Sequence, residues 1–386
     1  MALMTEKKIL QQNKSTNKMT HEIGRYCDLN NIQEIKELEY GMDFRKPEHR
    51  REVFLRFYGF HLKHNSHAGA IYYAFPYIFK NLQMTEEQKI WFCYINGCSQ
   101  NVITTFLIFN QIPDVKNINM EVFSKWYREN YLKLGWDTDR RYIKNSFEKC
   151  IEDYQKNIGT KTQKQFFDDL CTSSDEKINF RNVWDHVINK FNLFGRLSTF
   201  SYLEYLKIAG LKIDCDSLFL DDISGSKSHR NGLCKVLGRD DLDWYKSEVK
   251  YSPEIIEWLK EEGDKLIYEA KERFPDYQVN YFTLETTLCC YKSFHRPNRR
   301  YPNVYNDMFF ERIKYAEKQW ETKFDFFWDC RLESLPVNLR LENNPMDGGV
   351  CKEKQNHYLT TGEVIMMDDE YECFKNNYNE ALKAWQ

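Results

Sequence analysis

EEQKIWFCYINGCSQNVITTFLIFN, residues 86–110, is the stretch that decides the predicted fold class. Its large apolar residues recur at helical spacing and form one stripe, which contains Trp91, Tyr94, Ile95, Cys98, Val102, Phe106 and Phe109. Gly97 lies inside this pattern. Because a glycine within a helix costs roughly 1 kcal/mol relative to alanine, another element is expected to pack closely against it. The segment therefore predicts a long helix that faces a core.

Helical patterns recur on both sides of this segment. They cover about 120–133, 140–158, 181–194, 198–209, 229–238, 253–273, 283–294 and 305–328, and an earlier one begins at Pro47. Strand signals are few, and residues 357–367 are the candidate for a small hairpin across Gly362. The predicted fold class is mainly α with little strand.

The composition changes along the chain indicate its domain organisation. Residues 1–20 are polar and aperiodic and are expected to form a flexible N-terminus. Residues 21–340 carry the helical patterns, either as one body or as two packed helical lobes, 21–160 and 161–340. The segment after Leu341 has loop composition, so residues 341–386 are expected to form a C-terminal appendage.

The charge and cysteine content exclude several classes of protein. The net charge is -3, so any phosphate-binding face must be local rather than spread over the molecule. Basic clusters such as Arg50, Arg51 and Arg56 are either such faces or solvated helix surfaces. The 12 cysteines contain no CxxC pair and no zinc spacing. With no signal peptide and no membrane-spanning apolar run, they are interpreted as reduced, buried residues of a cytosolic protein without membrane contact.

The stretch DDISGSKSHRNGLCKVLGRDD, residues 221–241, concentrates polar groups at a predicted helix start. Its donors suit a phosphate or pyrophosphate at the helix N-terminus: Lys227, Ser228, His229, Arg230 and Asn231. Asp221 and Asp222 are candidate ligands for a Mg²⁺ ion that bridges the same group. The alternative is a capped helix whose histidine closes a hydrogen-bond network. No Walker loop occurs in the chain, so nucleotide hydrolysis of that type is not supported.

A second dense stretch is TLETTLCCYKSFHRPNRRYPNVYND, residues 283–307. Glu285, Cys289 and Lys292 are spaced to share one helix face, and Arg300 and Tyr301 follow on a proline-bounded turn. A carboxylate beside several cations indicates either a structural ion-pair network or a base next to an anion site, and the pattern does not separate the two.

The segment FNLFGRLSTFSYLEYL, residues 191–206, joins two helical patterns through a turn at Gly195. It resembles the helix-hairpin-helix of DNA glycosylases, in which such a turn presents backbone N–H groups to a DNA phosphate. That resemblance implies DNA-backbone contacts at Gly195, Arg196 and Ser198. The second turn glycine of the motif is missing, so an ordinary helical joint is the alternative.

Three stretches together resemble one family: GSKSHRNGLCKVLGRDDLDW, LETTLCCYKSFHRPNRRYPNVYND and WFCYINGCSQNVITTFLIF. They are similar to the bacteriophage amino acid:DNA transferases, also described as the α-glutamyl/putrescinyl thymine pyrophosphorylase group. The similarity extends from about residue 45 to 335. It implies a helical domain distantly like the DNA glycosylase fold.

The resemblance also implies a reaction and its partners. An amine of glutamate, glycine or putrescine would displace pyrophosphate from 5-pyrophosphoryloxymethyluracil, giving hypermodified thymine that evades host restriction. The partners would be double-stranded phage DNA, the amine and a 5-hydroxymethyluracil DNA kinase, in the cytoplasm of the infected bacterium. Mg²⁺ is the one cofactor considered. A DNA glycosylase-like enzyme and a non-catalytic DNA-binding accessory are the alternative functions.

Roles for individual residues follow from this reaction. Pyrophosphate would be bound by Lys227, Ser228, Arg230, Asn231, Lys292 and Arg300. The general base would be His229, Asp222 or Glu285, because the attacking amine must be unprotonated. Candidates to hold the flipped uracil and the substrate are Asn96, Gln100, Asn101, Tyr291 and Tyr301. Addition of Cys234 or Cys289 to the ring is a less favoured alternative, since buried cysteines are usually inert.

Overall fold

The computed structural model describes residues 46–65, 71–137, 141–243, 251–295 and 304–334, and within these ranges it contains helices and no strand. The α-helices are α1 (Arg50–His64), α2 (Ile71–Asn81), α3 (Glu86–Ser99), α4 (Val102–Gln111), α5 (Met120–Asn130), α6 (Arg141–Lys144), α7 (Phe147–Ile158), α8 (Gln163–Leu170), α9 (Glu176–Lys190), α10 (Arg196–Ile208), α11 (Lys227–Val236), α12 (Pro253–Arg273), α13 (Tyr281–Phe294), α14 (Val304–Trp320) and α15 (Asp325–Ser334). Short 3-10 turns occur at Pro47–His49, Val115–Asn117 and Asp240–Leu242. The mainly α fold class is confirmed.

Several sequence predictions concern residues outside these ranges. The N-terminus 1–20, the appendage 341–386 and the hairpin at 357–367 lie there, as do Arg300 and Tyr301. The division into lobes 21–160 and 161–340 stays a prediction.

The segment 86–110 is not one helix, as the sequence predicts, but two. Gln100 adopts a left-handed conformation (φ 51°) that ends α3. The Asn101 side chain then accepts hydrogen bonds from the backbone N–H groups of Ile103 and Thr104 and so caps α4. The break between α3 and α4 therefore comes from the Asn101 cap, although the apolar stripe continues across it and favours one helix.

Other boundaries also differ from the predictions. The predicted helix 140–158 is divided into α6 and α7, and the pattern 305–328 is divided into α14 and α15. Helices α2 and α8 carry no sequence prediction at all. Pro76 inside α2 argues against a helix there, yet the apolar residues around it are buried.

Helix α3 lies at the centre of the core, and every residue from Ile90 to Ser99 is buried. Tyr94 stacks on Tyr154 of α7 with ring centroids 3.8 Å apart. Gly97 of α3 packs against α10, because a Cβ added at this glycine would lie 3.3 Å from Cβ of Tyr202. The close packing expected at Gly97 is confirmed, and it fixes α10 against the core.

The predicted basic cluster of Arg50, Arg51 and Arg56 forms ion pairs within the protein. Arg51 of α1 bonds to Glu269 of α12 at 2.8 Å, and Arg50 bonds to Asp240 at 2.9 Å. Lys235 of α11 joins the same Asp240 carboxylate at 2.6 Å. The cluster thus ties α1 to α11 and α12 rather than presenting a free basic face.

The nine cysteines in the described ranges are all free thiols, and Cys171 alone among them is not fully buried. For these nine, the interpretation as reduced and mostly buried cysteines is confirmed. In the same part of the chain, none of the helices combines the length and apolar character needed to cross a lipid bilayer.

Candidate active site

The two dense sequence stretches meet where α11 crosses α13. A Cβ added at Gly232 of α11 would lie only 2.2 Å from the backbone oxygen of Leu288 in α13, so the crossing requires glycine. Ser228 and His229 precede this contact by about one turn of α11, and Glu285 and Lys292 flank it along α13. The close approach of the two backbones brings these side chains together.

His229 lies at the centre of this cluster and is 1% exposed. Its Nε2 is 2.7 Å from the backbone oxygen of Leu218, and its Nδ1 is 2.8 Å from Oε1 of Glu285. A carbonyl oxygen only accepts, so Nε2 must carry a proton and donate it. Nδ1 faces the carboxylate. Both ring nitrogens are therefore engaged, and His229 offers no unoccupied lone pair for general-base catalysis.

Glu285 of α13 is held in its ionised form by its neighbours. Burial raises the pKa of this carboxyl, but the charge and hydrogen bond of His229 and the charge of Arg196 outweigh burial, and the net result is a lowered pKa. A carboxylate with a lowered pKa is a weak base. The pair His229–Glu285 thus fixes charge and orientation within the site.

Several hydrogen-bond donors lie at the N-terminus of α11. Ser226 is the N-cap residue, but its side chain makes no capping hydrogen bond. Its hydroxyl donates to the backbone oxygen of Phe219, and its oxygen accepts from Nη2 of Arg196 at 2.9 Å. The Lys292 ammonium of α13 donates to the Ser228 hydroxyl at 2.5 Å. Uncapped N–H groups, a hydroxyl and an ammonium within one helical turn favour a negatively charged group.

Arg230 is fully buried beneath the same loop. Its Nη2 donates to the backbone oxygen of Ile223 at 2.6 Å, and its guanidinium lies over the Tyr251 ring at 4.4 Å. In the described part of the chain, its Nε and Nη1 have no hydrogen-bond partner. A buried guanidinium with two unsatisfied donors supplies further positive potential next to the start of α11.

Sequence reasoning passed over one buried acid that the charge of Glu285 reaches, Glu204 of α10. It is 4% exposed, and the Tyr72 hydroxyl of α2 donates to its Oε1 at 2.6 Å. Burial raises the pKa of Glu204 well above 4.5; the Tyr72 hydrogen bond opposes this and the charge of Glu285 adds to it. Tyr72 and Glu204 are 132 positions apart, so no local pattern could have joined them.

One group of potential metal ligands occurs among the described residues. His229, Glu285 and Cys289 offer ligand atoms that all lie within 4.8 Å of one another. The predicted Mg²⁺ pair is not part of such a group. Asp221 pairs with Lys260 at 2.8 Å, and Asp222 binds Arg196 and the N–H of Gly225.

The two candidate cysteine nucleophiles are protonated thiols. Burial raises the pKa of Cys234 to about 12 and raises that of Cys289 further, with the Glu285 charge adding to the effect. Thiolates are the reactive form, so both cysteines are poor nucleophiles at neutral pH.

The residues of this cluster fall within one known family. Residues 70–300 match the family described as amino acid:DNA transferase, and this range contains α10, α11 and α13. The chain belongs to the amino acid:DNA transferase family. It is accordingly a transferase that adds amino acids to DNA.

A phage relative supports the same assignment. The serinyltransferase of Salmonella phage ViI is 28% identical to the transferase over 347 residues, and the alignment covers 84% of each chain. No solved structure matches the transferase. The likeness to the helix-hairpin-helix DNA glycosylase fold therefore stays a prediction.

Other predicted site residues of the transferase have contacts outside the group formed by His229, Glu285, Ser228 and Lys292. Asn96 accepts a hydrogen bond from Thr105 at 2.9 Å, and Asn101 caps α4, so both have contacts within the joint between α3 and α4. Gln100 is the half-buried residue at that break. Tyr291 is fully buried against α1, and its hydroxyl donates to the backbone oxygen of Arg50 at 3.3 Å.

The predicted DNA-backbone contacts lie at the start of α10. Gly195 is its N-cap residue, and Ser198 is 2% exposed. Arg196 is 3.0 Å from Asp222 and donates to the Gly225 oxygen at 2.8 Å. Because its guanidinium is bound by the loop before α11, Arg196 fastens α10 to that loop and is not offered to a DNA phosphate.

The remaining predicted phosphate ligands lie on α11 itself. Lys227 is half-buried in its first turn and Asn231 is fully buried. A surface groove of about 490 Å³ lies elsewhere, at the ends of α10 and α12, and Lys207 in it is paired with Glu176 and Asp214. The groove contains none of the predicted site residues.

Proposed function

We propose that this transferase replaces the pyrophosphate of 5-pyrophosphoryloxymethyluracil in double-stranded phage DNA with the amine of an amino acid, giving a hypermodified thymine. The observation that carries the proposal is the contact between the Lys292 ammonium and the Ser228 hydroxyl at the uncapped start of α11. A pyrophosphate group has the charge and the acceptor oxygens that this set of donors favours.

The reaction breaks the C–O bond to pyrophosphate and forms a C–N bond at the exocyclic methylene. The electron pair of the broken bond leaves with the pyrophosphate, so donors fixed around its oxygens stabilise the transition state more than the ground state. Lys292, Ser228 and the α11 N-terminus take this role in the proposal, with Arg230 adding positive potential. His229 and Glu285 keep α11 and α13 in register.

The identity of the amine is proposed from the relative. That protein is named a serinyltransferase, so serine is the first amine to test, with glutamate, glycine and putrescine as alternatives. A kinase acting on 5-hydroxymethyluracil would supply the DNA substrate in the cytoplasm of the infected bacterium. Mg²⁺ enters the proposal with the pyrophosphate, whose oxygens are ligands that it prefers.

The test is a product assay with defined DNA. DNA containing 5-hydroxymethyluracil is pyrophosphorylated with a kinase and ATP, incubated with the purified protein and isotopically labelled serine, and digested to nucleosides for mass spectrometry. A nucleoside that carries the label supports the proposal. Unchanged nucleosides with every amine would overturn it and favour the DNA-binding accessory, whereas free modified base would indicate a glycosylase.

A pair of variants connects the activity to the site. Lys292→Met is expected to lower kcat/KM for transfer by about 100-fold or more, because one preorganised charge is removed from the leaving group. Lys164→Met is the matched control, since Lys164 is an exposed residue of α8 that pairs with Asp168. The Lys292 variant should bind DNA nearly as well as the wild-type protein. An equal loss of DNA affinity and of turnover in this variant would mean that Lys292 binds DNA rather than the leaving group.

A further inference from the structure

The three predicted general bases are all occupied in the structure. His229 has both ring nitrogens engaged, and Glu285 is ionised in a pair with it. Asp222 accepts hydrogen bonds from Gly225 and Ser224 and pairs with Arg196. The reaction nevertheless needs a proton acceptor, because the amine of an amino acid is protonated at neutral pH and has no lone pair for attack.

Glu204 is a buried carboxyl that takes part in none of the contacts of His229, Glu285 and Asp222 described above. Among the described residues its hydrogen-bond partner is Tyr72, which contacts only Oε1. The Tyr72–Glu204 hydrogen bond joins α2 to α10, and the charge of Glu285 on α13 acts on both groups.

We propose that Glu204 is the general base of the transfer reaction, oriented by the Tyr72 hydroxyl. This inference rests on the proposed function. The ionised Glu204 carboxylate takes a proton from the substrate ammonium, which frees the nitrogen lone pair. The lone pair then attacks the exocyclic methylene, and the C–O electron pair leaves with pyrophosphate.

The two carboxyls at the site differ in base strength for a physical reason. Glu285 is stabilised as an anion by His229 and Arg196, whereas Glu204 has no cationic partner among the described residues and feels the negative charge of Glu285. Burial without a counter-charge makes an ionised carboxylate a stronger base, better matched to an ammonium group. The two acids therefore have different roles: Glu285 supplies a fixed negative charge, and Glu204 accepts the proton.

Glu204→Gln is the test variant. Glutamine keeps the shape and the acceptor oxygen for Tyr72 but cannot take a proton. We expect serine transfer at neutral pH to fall by about 100-fold or more, with DNA binding retained and the thermal unfolding temperature equal to or above that of the wild-type protein. Glu152→Gln, an exposed substitution on α7, is the matched control and should transfer at the wild-type rate.

The pH profile separates proton abstraction from a structural role. Raising the pH supplies free amine without help from the enzyme, so the defect of Glu204→Gln should shrink steadily as the pH approaches the pKa of the serine amine. The titratable groups that act on Glu204 in the described structure are Tyr72 from α2 and Glu285 from α13. Tyr72→Phe removes the hydrogen bond that favours the ionised form and should shift the rising limb of the wild-type profile to higher pH.

Each outcome decides between the two proposals. Wild-type protein that transfers no amine sinks the proposed function. Wild-type protein that transfers serine while Glu204→Gln does so equally well, or with a defect that does not change with pH, overturns the role of Glu204 alone. A constant defect would indicate proton donation to the leaving group or a positioning role.

Discussion

Two regions of this transferase are rich in charge, and they use it differently. Along α1 and α12, Glu52 is bonded to Arg56 and Arg273, and side chains there remain about a third exposed. At the crossing of α11 and α13, His229, Glu285 and Lys292 are at least nine-tenths buried. In the sequence, both regions contain clusters of basic residues or of basic and acidic residues. Burial rather than charge density distinguishes the second region, which is the candidate site.

The energetic consequence of this difference follows from solvation. An exposed ion pair contributes about 1 kcal/mol or less, because water screens both charges. A buried pair interacts in a low dielectric and depends on each partner for its solvation, so removal of one partner is severe. The α1–α12 edge should therefore tolerate substitution, and the α11–α13 crossing should not.

The largest expected effect is at the crossing itself. Gly232→Ala places a Cβ against the Leu288 backbone oxygen and must push the helices apart, which should destabilise the protein by about 1–3 kcal/mol or more and abolish transfer. Gly195→Ala is the matched control, because a Cβ there meets nothing within 4 Å and φ is -86°. Thermal unfolding and serine transfer are measured for both. Equal stability of the two variants would contradict the close crossing.

A smaller effect is expected when one carboxylate in each region is neutralised. Glu285→Gln leaves the buried His229 Nδ1 without its charged partner and should lower the free energy of unfolding by about 1–3 kcal/mol. Glu52→Gln should change it by about 1 kcal/mol or less. Chemical denaturation at pH 7 compares them. If the surface variant proved the more destabilised, burial would not be what distinguishes the regions.

The smallest effect is a difference in pH dependence. Hydrogen bonds from Arg273 and Arg56 outweigh burial and lower the pKa of Glu52 to about 2, so its contribution to stability is present above pH 4.5 and is lost as the pH falls towards 2. The effect of Glu204 on stability changes with pH in the opposite direction. Burial raises its pKa, so the folded state is penalised as the pH rises above 4.5, where the unfolded chain ionises.

Unfolding free energies at several pH values check both signs. Glu204→Gln should gain stability relative to the wild-type protein between pH 5 and pH 8, and Glu52→Gln should lose less stability than the wild-type protein between pH 5 and pH 3. Parallel pH dependence in all three proteins would show that neither carboxyl is perturbed as the contacts require.

Much of the fold was predictable from local pattern. The helix 253–273 was predicted with the bounds of α12, because Ser252 caps it and Pro253 occupies its first position. Helix α8 was missed although its start carries a sequence signal: Thr162 and Gln165 form a capping box. The break between α3 and α4 was also signalled, by Asn101, but the apolar stripe across it predicted one helix.

Part of the site was predictable for the same reason. Ser228, His229, Glu285 and Lys292 stand in two short stretches whose residue types indicate anion chemistry, and the structure brings these stretches together. The role of Tyr291 could not be predicted in this way, because an aromatic next to polar residues fits a stacking surface and a core position equally well. The structure shows that its ring is buried. Glu204 was missed because it stands alone in an apolar helix, where a single acid gives no pattern.

The sequence alone determined the helical class, most helix positions and the two polar segments that form the candidate site, because periodicity, caps and clustered polar residues act over a few positions. Only the tertiary structure decided which charges are buried and which are solvated, and that His229 is fully occupied. It alone placed Glu204 beside Tyr72. Protonation states and burial depend on neighbours that are distant in the chain, and the crossing at Gly232 and Leu288 brings such neighbours into contact.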